Sequence, residues 1–450
     1  MQRTVFITIF QGAEAKNILR TDIYARLLRE PDLRIVLLVK TPERGDYYKK
    51  EFSHPNVSYE VAPEFSPNRW DRFFSWFAFL TLRTGTVDLR RRMTLETDKN
   101  YFRFFSGWLL NRLLGWRLIR QMARWFDSRL SSGGSFGKLF DKYDPRTVFC
   151  AHLFDDAEVA ILKEARRRGV ASIGFINSWD KLTSRHTVRI LPDWLVVFNE
   201  LVKQEAMRHA DMSESRIFVT GVPQYDQYIK EKPADRAGFF AKIGADPSKK
   251  LIVYAPMGKT FSNSDWDIVD LLTAWIKEGK ITAQLLVRFQ PNDFFNEVEL
   301  KKRPSLIYDW PGIRFSKERG VDWDMSFADL KHLTDTLFHA DLFVCYASSM
   351  SIDAAIFDKP VINIDFEVRP KEVMAKSPTY FYQMTHYQNA VRTGGIKYPK
   401  SKEEFLRNIN DYLANPSADR SGRARLIREQ CGAVDGRAGE RIGEFIISKI

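Results

Sequence analysis

Phosphate-binding chemistry concentrates in the run from Phe338 to Glu367, FHADLFVCYASSMSIDAAIFDKPVINIDFE. It parses as a strand, a turn of small residues (Ala347, Ser348, Ser349), a short helix, and a second apolar strand after Lys359 and Pro360. A helix N-terminus exposes unpaired backbone N–H groups and a partial positive charge, and so takes a phosphate. Ser348, Ser349 and Ser351 add hydroxyl donors, while Asp353 in the first helical turn can accept from ribose or sugar hydroxyls. Ordinary helix capping, a serine followed by a first-turn acid, would use the same residues.

Direct displacement by an acceptor hydroxyl needs a carboxylate or imidazole within hydrogen-bonding reach. Three loops after expected strands offer one: Glu14; the cluster His152, Asp155 and Asp156; and Asp180 in NSWDKLTSR. The last loop also carries Trp179 to stack on a sugar, Thr183 and Ser184 as donors, and Arg185 as an anion contact. Gly12 in QGAEAKNILRT permits close approach of a ligand, with Asn17 and Arg20 further along. Asp155 and Asp156 can equally be helix caps, Asp180 a turn former, and the first loop an ordinary capped helix start.

These loops need parallel strands to hold them. The first half of the chain alternates strand-like runs (4–10, 34–39, 57–61, 147–151, 171–176, 194–199 and 216–222) with helical patterns such as 13–29 and 157–168. Such alternation predicts a parallel sheet with helices on both faces. After Gly221-Val222-Pro223 it starts again, with strands expected at 251–255, 284–289, 313–315, 341–346 and 361–365. The polar, proline-containing KEKPADR reads as a link. The expected organisation is an acceptor-side domain over 1–230, a nucleotide-donor domain over 231–430, and a terminal helix over 431–450 returning to the first.

At 450 residues, 44% hydrophobic and 28% charged, the chain suits two folded domains. Its three cysteines are widely separated, which excludes a disulfide framework or a zinc site from the expectations. MQRTVFITIF enters a strand directly, so a cytoplasmic location is expected. The net charge of +12 is uneven: residues 66–130 hold thirteen Lys or Arg against five acids, a net +8, together with five tryptophans. Arginines recur too often there for a membrane span. The segment reads instead as a basic aromatic helical insertion, either lying on an anionic membrane surface or packed on the domain to line an acceptor groove. It carries no recognisable nucleic-acid module, and nucleic acid is not among the expected partners.

The stretch FADLKHLTDTLFHADLFVCYASSMSIDAAIFDKPVINIDF resembles the donor-binding half of GT-B-fold transferases, particularly the branch of CDP-glycerol glycerophosphotransferases and surface-glycan glycosyltransferases. VTGVPQYDQY, LIVYAPM and the closing CGAVDGRAGERIGEFI agree with it in order, so the resemblance spans about residues 140–450. It implies an α/β, GT-B-like chain of two Rossmann-like domains facing a central cleft. The nucleotide-activated donor would be held by Ser348, Ser349, Ser351, Asp353 and Pro256, with Lys259 and Arg288 as basic groups. Glycan or lipid-linked acceptors would meet Trp179, Thr183, Ser184, Arg185 and Gly12. No metal or other cofactor is implied as obligatory. VRFQPND departs from the branch, having Phe289-Gln290-Pro291 where a His-Pro pair is expected. The function this implies is transfer of a sugar from a nucleotide-sugar donor in surface polysaccharide biosynthesis, at the inner face of the cell membrane. Transfer of a polyol phosphate from a CDP donor, a UDP-sugar 2-epimerase, and an inert glycan- or membrane-binding scaffold share the fold and stand as alternatives.

Overall fold

A computed structural model describes residues 2–131, 134–291, 296–315, 323–369 and 373–450. The chain divides into two compact units: Met1–Arg91 with Asn100–Lys230 and Gly432–Ile450, and Arg92–Lys99 with Glu231–Cys431.

The first unit is built on seven strands: β1 (Arg3–Ile9), β2 (Leu33–Val39), β3 (Val57–Val61), β4 (Thr147–Cys150), β5 (Ala171–Phe175), β6 (Trp194–Val197) and β7 (Ile217–Val219). They pair in parallel in the order β3-β2-β1-β4-β5-β6-β7. Their cores are largely apolar runs such as VFITI and IVLLV, as strands covered on both faces require. The order reverses between β1 and β4, and the carboxyl ends of strands at such a switch are where α/β sheets place ligands. Glu14 follows β1 and His152 follows β4, so the reversal brings these two loops to one place.

The helix expected over 13–29 is two helices, Gly12–Ile18 and Asp22–Leu28. Thr21 interrupts them because its hydroxyl caps the second by accepting from Ile23 N at 3.4 Å. Close packing on Asp22–Leu28 explains two glycines of the terminal helix Ala438–Ile447. A Cβ at Gly443 would meet Arg26 Cβ at 2.8 Å, and one at Gly439 would meet Asp22 N at 3.0 Å. The Asp226 carboxylate caps that helix, accepting from Ala438 N at 3.1 Å and Gly439 N at 2.7 Å.

The insertion forms the helices Arg69–Thr81, Gly85–Asp98, Tyr101–Leu114 and Arg117–Leu130. Beside buried apolar residues such as Phe74, Val87 and Leu89, it buries charge and exposes aromatic and aliphatic side chains. Asp71, Asn111, Arg120, Arg124 and Asp127 are buried, while Phe102 is 84% exposed, Leu118 67% and Trp116 62%. Arg189 anchors the interior, donating from Nε to Asp127 at 2.8 Å and from Nη1 to Asp156 at 2.8 Å. Lys163 lies 3.0 Å from Asp127, and Arg120 and Arg124 both pair with Asp211, at 2.5 and 2.7 Å. No helix among the described residues is long and apolar enough to cross a membrane.

The second unit carries β8 (Leu251–Ala255), β9 (Gln284–Arg288), β10 (Ile307–Asp309), β11 (Ile313–Arg314), β12 (Trp323–Asp324), β13 (Leu342–Cys345) and β14 (Val361–Asn363). Five of them form a parallel sheet in the order β10-β9-β8-β13-β14, which reverses between β8 and β13. The run expected as a sheet strand at 313–315 instead pairs antiparallel with β12, and the sheet edge is β10. Gly312 turns the chain away at φ +85, where a Cβ would meet Asp324 O at 2.7 Å. All three cysteines are buried and free.

Candidate functional site

At the switch of the first sheet, Glu14 sits fully buried in a capping box, with Gln11 as the cap. Its Oε2 accepts from Phe10 N and from Gln11 N, the latter at 3.0 Å, while Oε1 has no hydrogen-bond partner. Burial pushes its carboxyl up to about 7, against the lowering by the Phe10 amide. Glu158, on the Asp156–Arg168 helix, lies in the same electrostatic field. It accepts from Thr8 Oγ1 at 2.6 Å and from His152 N at 2.7 Å, and burial, reinforced by Glu14, pushes its carboxyl up as well. Glu158 thereby ties the end of β1 to that of β4, while Glu14 braces the turn after β1.

His152 is not a free base. Its Nε2 is 2.7 Å from Lys181 Nζ, and burial, then the positive field of Lys181, pushes the imidazole down to about 2. A histidine of so little basicity accepts no proton near neutrality. Asp155 caps the following helix, accepting from Ala157 N at 3.0 Å, and pairs with Lys40 at 2.7 Å. Asp156 is held by Arg189 and by Ser75 Oγ at 3.1 Å. The capping and structural uses of these two acids are therefore the ones the fold displays.

The loop after β5 is different. Asp180, half-buried, accepts from Ser178 Oγ at 2.5 Å and Ser184 Oγ at 3.0 Å, so its carboxylate is oriented and remains an acceptor. Trp179 is half-buried and Arg185 exposed. Thr183 and Ser184 are buried, their hydroxyls donating to Asp180 itself, at 3.2 Å to its backbone O and 3.0 Å to its carboxylate. They position Asp180 rather than offering donors to an acceptor. Gly12 is buried at the start of its helix. Asn17 turns back onto Ala13 O at 2.8 Å, and Arg20 pairs with Glu51 at 2.5 Å, so both serve the fold. Glu205, with burial the main cause and Asp180 adding to it, is pushed up to about 8.

In the second unit the loop after β8 turns at Gly258, φ +89, and is strutted by Asp265. The Asp265 carboxylate accepts from Tyr254 OH at 2.7 Å, Met257 N at 3.1 Å and Gly258 N at 2.9 Å. Gln290 donates from Nε2 to Pro256 O and Met257 O, both at 3.1 Å. Gln290 thus occupies the position where a histidine was expected and ties two strand ends together. Pro256, Lys259, Asp265, Trp266 and Gln290 line a cavity of about 280 Å³.

Across the switch, after β13, Ser349 is exposed with no side-chain capping bond, and Ser348 Oγ accepts from Met350 N at 3.2 Å. Asp353 is buried in the helix Met350–Ile356. Ser351 faces inward: it is buried and donates to Asn363 Oδ1 at 3.0 Å, with Tyr387 OH at 3.4 Å. Arg288 is also inward, the last residue of β9 and only 3% exposed, paired with Asp309. These two therefore hold the interior of the unit together and expose no group to a ligand. Among the described residues no group of three or more His, Cys, Asp or Glu is arranged to hold a metal ion.

Sequence reasoning missed Glu158, Lys181, Glu205 and Asp265, and met Gln290 only as a departure from the expected His-Pro pair. Glu158 reads as one more acid in the first turn of an Ala-rich helix, and only the pairing of β1 with β4 shows that it faces Glu14. Lys181 adjoins the selected Asp180, and only the pairing of β4 with β5 brings it beside His152.

Comparison with known proteins places the chain. The fold is shared with the UDP-bound S. aureus MnaA (14% identity, TM-score 0.55, covering 100% of this chain and 98% of that one). It is shared with the UDP-GlcNAc 2-epimerase of Neisseria meningitidis bound to UDP-GlcNAc (10%, 0.54, 99% and 100%) and that of Methanocaldococcus jannaschii (13%, 0.54, 100% and 100%). At these identities the likeness concerns the fold, which is GT-B-like. No curated protein matches the chain. The family model described as CDP-Glycerol:Poly(glycerophosphate) glycerophosphotransferase matches residues 177–448, more than half of the sequence, from the Asp180 loop through the whole second sheet. The chain is therefore a transferase belonging to the CDP-glycerol:poly(glycerophosphate) glycerophosphotransferase family.

Proposed function

We propose that the protein transfers a polyol phosphate, glycerol phosphate in the simplest case, from a CDP-activated donor to a hydroxyl of a glycan or lipid-linked acceptor at the inner face of the membrane. The observation that carries this reading is the family match over 177–448, which takes in the Asp180 loop and both loops at the second sheet's switch. Sugar transfer, the first expectation from sequence, uses the same fold and becomes the second reading.

Asp180 is the base in this assignment, since it lies within the matched residues, its half-buried carboxylate is oriented by Ser178 and Ser184, Glu14 is fully buried and His152 is occupied by Lys181. It removes the acceptor proton as the hydroxyl oxygen attacks the phosphorus that carries the polyol. The new oxygen–phosphorus bond forms, the phosphoanhydride breaks, and CMP leaves with its electron pair. Lys259 and the backbone N–H groups of the strand-end loops stabilise the charge on the leaving phosphate, with Ser348 and Ser349 as hydroxyl donors. This needs no obligatory metal, so EDTA leaves turnover unchanged.

The purified protein is incubated with an acceptor glycolipid and CDP-glycerol, UDP-GlcNAc or GDP-mannose, and nucleotide release is followed. CMP release from CDP-glycerol alone is expected, and Asp180→Asn lowers it by about two to four orders of magnitude. Release of UDP or GDP instead would make the enzyme a glycosyltransferase; nucleotide binding without any release would leave a scaffold.

A further inference from the structure

On the first unit, the helices Arg117–Leu130 and Asp156–Arg168 border a groove of about 830 Å³ lined by Arg124, Trp125, Arg129, Lys163, Arg166 and Arg167. Glu164 is the one acid in that lining, and Arg167 and Arg168 already hold it, each at 2.5 Å. We propose that this groove binds the phosphate of an anionic lipid headgroup, a site that rests on the membrane-surface reading above.

Three features support an anion here. The lining sets five cations, Arg124, Arg129, Lys163, Arg166 and Arg167, against Glu164 alone, and Arg124 shares its carboxylate partner, Asp211, with Arg120. The Arg129 guanidinium lies over the Trp125 ring, 3.7 Å from its centroid, a cation–π contact that holds it in place and leaves N–H groups for a ligand. Arg129 and Arg166 have no carboxylate partner among the described residues; their hydrogen bonds run to Trp125 O at 3.3 Å and Leu191 O at 3.1 Å. An arginine fork of this kind matches a phosphate.

That the phosphate belongs to a lipid follows from what adjoins the groove. The same helix exposes Leu118, Met122 and Trp125, spaced four and three residues apart, which places them on one face. Trp125 belongs to both the apolar face and the groove. A ligand fitting both is amphiphilic, with phosphate beside acyl chain, whereas free phosphate uses the groove alone.

Vesicle sedimentation separates the cases. Wild-type protein, Arg129→Gln/Arg166→Gln, and Phe102→Ser/Trp116→Ser/Leu118→Ser are compared on phosphatidylcholine vesicles with and without phosphatidylglycerol. The arginine variant is expected to lose about thirtyfold of the preference for phosphatidylglycerol, the effect of two cations near an anionic surface, and to bind phosphatidylcholine as wild type does. An unchanged preference overturns the groove assignment while the membrane reading stands. Absence of wild-type binding to either vesicle overturns both. In solution, inorganic phosphate raising Tm as much as dihexanoyl phosphatidylglycerol, in wild type and not in the arginine variant, would reassign the site to free phosphate.

Discussion

Lys181 points its ammonium at His152, with Nζ 2.7 Å from Nε2. A donor at Nε2 puts the imidazole proton on Nδ1 and makes the ring a neutral acceptor. Burial lowers the basicity of both groups, and each cation nearby lowers that of the histidine further. The pair therefore ties the loop after β4 to the loop that carries Asp180, a positioning role.

His152 is expected to show no titration above about pH 4 in the wild-type protein, because its value is held near 2. Lys181→Met removes one opposing charge and raises that value, burial keeping it below the ordinary range. Histidine-detected NMR across pH 3 to 8 reads both shifts. A wild-type midpoint near 6.5 would mean that the ring is exposed to solvent and that Lys181 does not hold it.

Glu14 links pH to stability. Its folded value of about 7 exceeds the ordinary 4.5, so its contribution is complete below pH 4.5 and is lost as pH rises through 7. A shift of that size corresponds to about 3 kcal/mol. Glu14→Gln keeps an acceptor for the Phe10 and Gln11 amides and removes the ionisation. Urea unfolding at pH 5 and pH 8 should show wild type losing stability between the two and the variant losing less, the remainder belonging to Glu158. Equal losses would show that Glu14 is already ionised when folded.

How far the sequence could be read depends on the range of the signal. Strand positions are local: Leu251–Ala255 declares itself as a continuous apolar run and Val57–Val61 by the alternation of Val and Tyr with Ser and Glu. The edge strand Ile307–Asp309 is three residues with one exposed side chain, so it carries no such pattern. Charge placement is not local at all. Arg120, Arg124 and Asp127 look like a solvated face, and only Asp211, Lys163 and Arg189, 36 to 91 residues away, turn them inward. Ser351 and Arg288 fail as donor ligands for the same reason: Asn363 and Asp309 lie on neighbouring strands.

Arg189 is the keystone of that interior, and its removal strands Asp127 and Asp71, both buried. Breaking a buried pair by deleting one partner costs about 3–5 kcal/mol, reduced here to the extent that Lys163 covers Asp127. Arg189→Met should therefore lower the urea midpoint and uncouple the insertion, whereas the exposed Arg92→Gln should not. Equal midpoints would mean that the network holds no charge out of water.

The last prediction concerns how the insertion meets a membrane. The run of three arginines at 90 to 92 is the densest charge in the insertion, yet Arg90 donates to Ser184 O and Arg91 pairs with Asp88 at 3.1 Å, leaving Arg92 exposed. Reversing all three would disturb the Asp180 loop through Ser184 and so confuse two effects. The outward residues are apolar instead: Phe102, Phe105, Trp108, Trp116, Leu118 and Met122 are all more than two-fifths exposed. Exposed apolar surface of this extent is normally covered in a soluble monomer, and arginines sit against its tryptophans, Arg83 over Trp116 at 5.6 Å and Arg112 over Trp108 at 5.5 Å. That arrangement suits the interface, with rings at the acyl boundary and guanidinium groups among phosphates. Burying a large apolar side chain contributes about 1.5–3 kcal/mol, so Phe102→Ser/Trp116→Ser/Leu118→Ser should reduce partitioning into neutral and anionic vesicles alike by more than a hundredfold. Salt should release wild type only partly, because the apolar term is not screened. Tm should hold, since none of the three side chains is buried. Complete release by salt, or unchanged partitioning of the triple variant, would show that the aromatic face is not what enters the bilayer.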